Sequence, residues 1–280
     1  MRAILEWSWE DLQERERALL GRLTVFEGGA SLDAAEAVCR GGLVDDVEAL
    51  AASLLDKSSL LRTDSGRDAQ PRLGMLDTVR EFAGERAGER EDPGALERRH
   101  ALYFLEYCER AADWAARSDQ REWLDGLARE RGNIRLAFER LWRAGAAEEA
   151  LGVAIAFARA LPWDAHAHEV RGWLAQALDA EAQLSPQRRA SGLYWDGMLA
   201  LSQDLFADAQ ARLEAALAAA RDAPDPRVEA AALSAYVRRR MRARSGLGAR
   251  RSARRPGAGA LPRGSRPLRG RVGAGRTGLV

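Results

Sequence analysis

The sequence predicts a mainly α fold: a small helical domain with a β-hairpin, then an antiparallel stack of helices, then a disordered tail. Three observations predict it. Apolar residues recur at helical spacing along most of residues 1–237. One Gly/Asp-rich turn, Asp64-Ser65-Gly66-Arg67-Asp68, separates two short runs of strand character. Charge is divided unevenly: residues 1–237 carry 29 basic and 42 acidic side chains, whereas Arg238 to Val280 hold fourteen Arg and no acid. The formal net charge of +1 thus joins an acidic body to a basic tail.

The elements of residues 1–92 follow in order. Trp9 to Leu23 places Trp9, Leu12, Leu19, Leu20 and Leu23 on one helical stripe, and Gly28-Gly29 breaks the chain. Ser31 is an N-cap for a second helix through Leu32, Ala35 and Val38, ended by Gly41-Gly42. Val44 to Leu55 forms the third, with Val47, Leu50, Ala51, Leu54 and Leu55 on one face. Ser59–Thr63 and Arg72–Leu76 are the hairpin strands. Asp77 caps a fourth helix running to about Arg90, and Asp92-Pro93-Gly94 marks the boundary.

Beyond it the chain reads as wholly helical: an arm over 95–145, then paired helices over 146–237. The helices are Leu96–Arg117, Gln120–Arg131, Asn133–Arg143, Ala147–Leu161, Ala165–Leu184, Pro186–Gln203, Phe206–Arg221 and Pro226–Val237, with breaks at Gly132, Gly145, Pro162 and Asp222–Asp225. Frequent Ala favours helix and lets helices approach closely. Gly197, Ala209, Leu213 and Ala216, with Leu193 and Ala200 in the same register, match tetratricopeptide spacing, in which small residues permit close pairing of two helices. Arg221 stands where that pattern often has Pro.

Residues 238–280 have too few large apolar groups to offset their ordering entropy, and disorder is expected. One Lys, Lys57, against 42 Arg suggests GC-rich coding, in which a shifted frame yields Arg/Gly/Pro/Ala text of this kind. The tail reads as such a frameshift product. With 46% hydrophobic and 30% charged residues the rest can bury a core. No apolar run approaches the ~20 residues that span a bilayer, and Met1 to Glu16 lacks a signal-peptide core. Two cysteines, Cys39 and Cys108, are too few for a disulfide framework. A cytoplasmic protein without a membrane partner is expected.

Ordered motifs carry a family resemblance over about residues 5–220. Trp7-Ser8-Trp9 with Leu12 and Glu16-Arg17, then Leu23-Thr24-Val25-Phe26-Glu27-Gly28-Gly29, then Leu32 and Ala34-Ala35-Glu36, resemble the opening of a winged-helix module. Leu54-Leu55-Asp56-Lys57-Ser58 resembles its third helix entering the first strand, and Arg72 through Ala83 its second strand and last helix. Arg99-His100, Tyr103-Phe104 and Gly132-Asn133-Ile134-Arg135-Leu136-Ala137 resemble the helical arm that follows. The family is the STAND-type bacterial transcriptional regulators, LuxR-like and antibiotic-regulator types among them. The resemblance implies a winged helix followed by tetratricopeptide-like repeats. It implies as partners an NB-ARC-like ATPase domain, in cis or in trans, and a peptide, protein or small-molecule effector. The chain begins where the winged helix would follow the ATPase, so it looks like the C-terminal part of such a regulator, truncated or split.

Nucleotide hydrolysis is not carried over. A phosphate loop needs a Gly-rich turn ending in Lys, and Lys57 follows Leu54-Leu55-Asp56. No cofactor is expected. DNA reading by the winged helix is argued against by its third helix, which carries Asp45, Asp46, Glu48 and Asp56 beside Lys57 alone. Residues 1–92 hold 12 basic and 20 acidic groups, and Arg62, Arg67 and Arg72 of the hairpin are interleaved with Asp64 and Asp68. The tail is basic enough for non-specific nucleic-acid binding and lacks aromatic interleaving.

No catalytic constellation stands out, and a non-enzymatic role is expected. His166 and His168 lie about 200° apart on a helix, unsuited to one metal. His100 reads as a surface or packing group, Cys39 and Cys108 as buried small residues, and Glu148-Glu149 and Asp45-Asp46 as solvated faces. Most of the eight Trp read as core anchors, while Trp163, Trp173 and Trp195 are candidates for an interaction face. The expected function is a sensor and protein-interaction module of a STAND-type regulator. The alternatives are a DNA-binding regulator acting through the winged helix or tail, an enzyme, and a non-functional fragment.

Overall fold

Two short helices, not one, open the chain. In a computed structural model that describes residues 2–63, 72–87, 92–115, 120–160, 166–222 and 232–234, α1 (Arg2–Glu10) ends before α2 (Glu14–Leu23) begins. The expected single stripe breaks at Asp11–Gln13, where Leu12 turns into the core and the Gln13 amide donates to Glu16 Oε2 at 2.6 Å. That bond satisfies an amide a helix start leaves open.

Ser31 caps α3 (Leu32–Cys39) as expected, its hydroxyl accepting from the Ala34 amide at 3.2 Å. The same residue ends β1 (Ala30–Ser31), a strand too short to show alternation in sequence. α4 (Val47–Asp56) starts three residues later than expected. Gly41 and Val44 exchange backbone hydrogen bonds first, and Asp46 then accepts from the Ala49 amide at 2.9 Å. β2 (Leu61–Thr63) and β3 (Arg72–Gly74) pair antiparallel, and β1 adds to the other edge of β3. The register sets Ala30 opposite Leu73 and Leu61 opposite Gly74. α5 (Asp77–Ala87) packs on α2, with Trp9 edge-on to Phe82. The hairpin turn at 64–68 and the end of this helix at 88–90 lie outside the described residues.

α6 (Pro93–Ala115) and α7 (Gln120–Arg143) are the longest helices. The expected break at Gly132 does not occur. A lone helical Gly costs only about 1 kcal/mol, and a side chain there would press on Glu27, whose Cγ lies 3.3 Å from the position of a Cβ. α8 (Ala147–Ala160) is buried along its length except at Glu148, Glu149 and Arg159, sandwiched by α6, α7, α9 (Ala167–Leu178) and α10 (Pro186–Ser202). α9 stops at Leu178 and a 3₁₀ turn, Glu181–Gln183, replaces the expected extension. α10 and α11 (Phe206–Asp222) fold back on each other through a turn in which Asp204 takes φ 62°. Gly197 makes this pairing close: a Cβ there would lie 2.9 Å from Leu213 Cγ. The result is mainly α with one small antiparallel sheet. Every described residue falls within the unit Met1–Arg239, and one core runs from Leu12 through Phe26, Phe104, Ile134 and Leu151 to Leu217. Most of the expected helix 226–237 and the tail 238–280, where disorder was expected, lie outside the described residues.

Candidate functional site: a buried polar junction

The loop after α2 is held in place from three directions. Gly28 and Gly29 adopt φ 72° and 89°, conformations that L side chains rarely take. Gly29 lies so close to β3 that a Cβ would sit 2.5 Å from the Leu73 carbonyl oxygen. Phe26 and Gly29 of this loop are buried, and their backbone polar groups need partners.

Side chains from β3, α5 and α7 supply them. Arg72 Nη2 donates to the Gly29 carbonyl at 2.9 Å and to Glu130 Oε2 at 3.2 Å, while Arg72 Nη1 donates to Glu130 Oε1. Both charged side chains are more than nine-tenths buried. Asn133, fully buried one helical turn on, donates through Nδ2 to Glu130 Oε2 at 2.8 Å and to Gly29 O at 3.2 Å. Its Oδ1 accepts from the Glu27 amide at 2.8 Å. Thus α7 reads the loop backbone with Asn133 and grips the sheet through Glu130. Buried charges persist only when paired and hydrogen-bonded, and here all three groups share one network. Arg80 of α5 adds a hydrogen bond to the Phe26 carbonyl, and Arg135 pairs with Glu27 at 3.0 Å.

His100 sits beneath, its Nε2 3.2 Å from Asn133 Oδ1 and its ring against Phe26 and Phe104. Since Oδ1 can only accept, Nε2 carries the proton, and Nδ1 has no partner among the described residues. Burial, and secondarily the Arg140 charge, push its pKa down from 6.5 to about 3. The unfolded chain therefore binds this proton more readily than the folded one. Stability is whole above about pH 7 and falls as pH drops from 6.5 toward 3, by at most about 1.4 kcal/mol per unit. In thermal melts across that window, His100→Gln is expected to flatten the decline. An unchanged slope would assign the titration to other groups.

A second network anchors α4. The Glu16 carboxylate, nearly inaccessible, accepts from Lys57 Nζ at 2.8 Å and from the Ser53 hydroxyl at 2.6 Å. Burial alone raises its pKa, but the hydrogen bonds from Lys57, Ser53 and the Gln13 amide more than offset this and hold it below its ordinary value. The chain's single lysine is thus engaged inward, while Asp45, Asp46, Glu48 and Asp56 stand exposed and Arg15 pairs with Asp45 at 3.3 Å.

The residues singled out in sequence are scattered. Trp173 is buried, stacked on Phe138 at 5.2 Å and Phe157 at 5.7 Å. Trp195 is half-buried against Tyr194, and Trp163 lies outside the described residues. Among the other tryptophans Trp7 is exposed, not a core anchor. His166 precedes α9 and His168 is exposed, while Cys39 and Cys108 are buried. No described group of three or more His, Cys, Asp or Glu could hold a metal ion, and no described helix is long and apolar enough to cross a membrane. Sequence reasoning quoted Glu27 only within a family motif, read Arg72 as a strand end among hairpin charges, Gly29 as a chain break, His100 as a surface or packing group and Asn133 as a helix start, and passed over Glu130. The legible signal was an Asn beside a Gly in mid-helix, a pair that suits close approach of another backbone.

The chain is similar to three curated proteins named as HTH-type transcriptional regulators, a role those names themselves mark as unproven. One is from Mycobacterium bovis and two are from strains of Mycobacterium tuberculosis. Each is 30% identical over 249 residues, which cover 84% of this chain and 27% of the relative. The chain therefore spans about a quarter of the length of these relatives. No protein-family model and no solved structure matches it.

Proposed function

We propose that the chain is a non-catalytic relay and interaction module of a STAND-type transcriptional regulator, acting in the cytoplasm with an NB-ARC-like ATPase domain. The observation that carries this reading is the buried junction. Arg72, Glu130 and Asn133 join the sheet and the Glu27–Gly29 loop to α7, so the long helix cannot shift without breaking charge-assisted bonds in low dielectric. An effector on the tetratricopeptide-like helices α8–α11 would displace α7, and the winged-helix part would feel it through β3. Likeness to proteins named as regulators supports the setting. The same likeness raises a DNA-reading role, and the charge around α4 favours relay over reading: Arg15 and Lys57 are paired and the exposed charged side chains of α4 are acidic.

Binding to labelled duplex DNA separates the two readings. At ~50 mM salt, where phosphate contacts are strong, the chain shortened to Met1–Arg239 is expected not to bind. The full chain is expected to bind weakly, without sequence preference, through its fourteen tail arginines. Sequence-selective binding by the shortened chain would overturn the relay reading in favour of a DNA-binding winged helix.

A further inference from the structure

A cavity of about 470 Å³ opens between α1, α2 and α5, floored by the start of α6. We propose that it binds a mostly apolar small molecule carrying one acidic group. The inference stands apart from the relay role and survives if that role fails.

Two glycines argue that the space is kept rather than left over. A Cβ on Gly21 of α2 would come within 2.7 Å of the Ala87 Cβ, so that glycine lets α2 and α5 touch. Gly84, one helical turn before Ala87, has nothing within 4 Å of a Cβ, although it lines the same cavity. A glycine inside a helix destabilises it relative to alanine. No neighbour demands the glycine at 84, and its effect is to leave the wall bare.

The lining fixes the ligand class. Trp9, Leu43 and Leu96 supply apolar surface from α1, the loop before α4 and α6. Trp9 and Arg86 of the lining are held by the buried Phe82 ring, Trp9 edge-on to it at 5.8 Å and the Arg86 guanidinium 5.4 Å from its centre. Arg17 is oriented at the wall by donating to the carbonyls of Trp9 at 2.8 Å and Glu10 at 2.7 Å. Arg17, Arg22 and Arg86 outnumber Glu14 and Asp92 around the cavity, so one acidic group is favoured over a basic one. The volume is that of ordinary small-molecule sites, which are mostly apolar with a few placed polar groups. An occupant would touch α1, α2, α5 and α6 at once.

Anilinonaphthalene sulfonate, a mostly apolar aromatic anion, is the probe. Titrated into the full chain it should show one saturable site and raise the midpoint of a cooperative melt, which excludes binding to a loosened core. Gly84→Leu fills the space from a helix position and should weaken binding by roughly tenfold or more while leaving the melt cooperative. Arg86→Ala should weaken it less, by losing the anion's partner. Should Gly84→Leu fail to fold, Leu43→Glu on the exposed loop serves in its place, setting a carboxylate against the sulfonate. Absence of saturable binding, or binding unchanged in a folded Gly84→Leu or Leu43→Glu chain, overturns the proposal.

Discussion

Glu130→Ala is expected to be among the most destabilising single changes in the chain, by about 3–5 kcal/mol. The carboxylate is the partner of Arg72 through both guanidinium nitrogens and also receives Asn133 Nδ2. Its removal strands a guanidinium that the sheet and α7 keep from water. Since domains of this size are stable by only about 5–15 kcal/mol, the loss takes a large share of the total and should lower Tm on the order of 10 °C. Replacing both partners with apolar groups, Arg72→Met with Glu130→Leu, should cost less than the two single changes together, by roughly 1–3 kcal/mol of coupling. Additive losses in denaturant titrations would mean that the pair does not act as a unit.

Gly29→Ala should be nearly as costly, and for a different reason. Alanine must adopt φ 89° and place its Cβ 2.5 Å from the Leu73 carbonyl oxygen, so β1 must part from β3. Backbone strain and overpacking each cost about 1–3 kcal/mol, for a total near 3–5. Gly28→Ala is the internal control, because Gly28 has φ 72° with nothing within 4 Å. It should lose only about 1–2 kcal/mol, the strain alone. Equal losses at the two positions would show that close approach to β3 is not what fixes glycine at 29.

The contrast between these glycines measures what the sequence made legible. Gly28-Gly29 read correctly as a break, yet only the neighbour across the loop distinguishes the second from the first. Local signals fared well. The Ser31 cap, the apolar stripes of α2 and α4, the two hairpin strands and the close pairing at Gly197 all rest on neighbours a few residues apart or on a short repeat. Signals that depend on the rest of the chain failed. Gly132 read as a helix end because its cost is local, whereas its reason, room for Glu27, comes from a loop 105 positions earlier. β1 is two residues of an N-cap motif until β3 pairs with it. Arg72 and Glu130 looked like two of many charges, since nothing in a sequence period brings positions 58 apart together.

The junction also draws on residues from both halves of the described chain. The Phe-Glu-Gly-Gly loop, the strand arginine and the Gly-Asn of α7 lie in three separate motifs, and the fold gathers them into one network. Contact between them joins α7 to the sheet.

Native-state hydrogen exchange on the full chain, compared with Glu130→Ala under conditions where both are folded, tests the relay most directly. If the junction transmits the state of α7, amides of Phe26–Ser31 and Arg72–Gly74 should lose protection together with those of α7 around Glu130 and Asn133. Loss confined to α7, with the loop and sheet as protected as before, would contradict the relay.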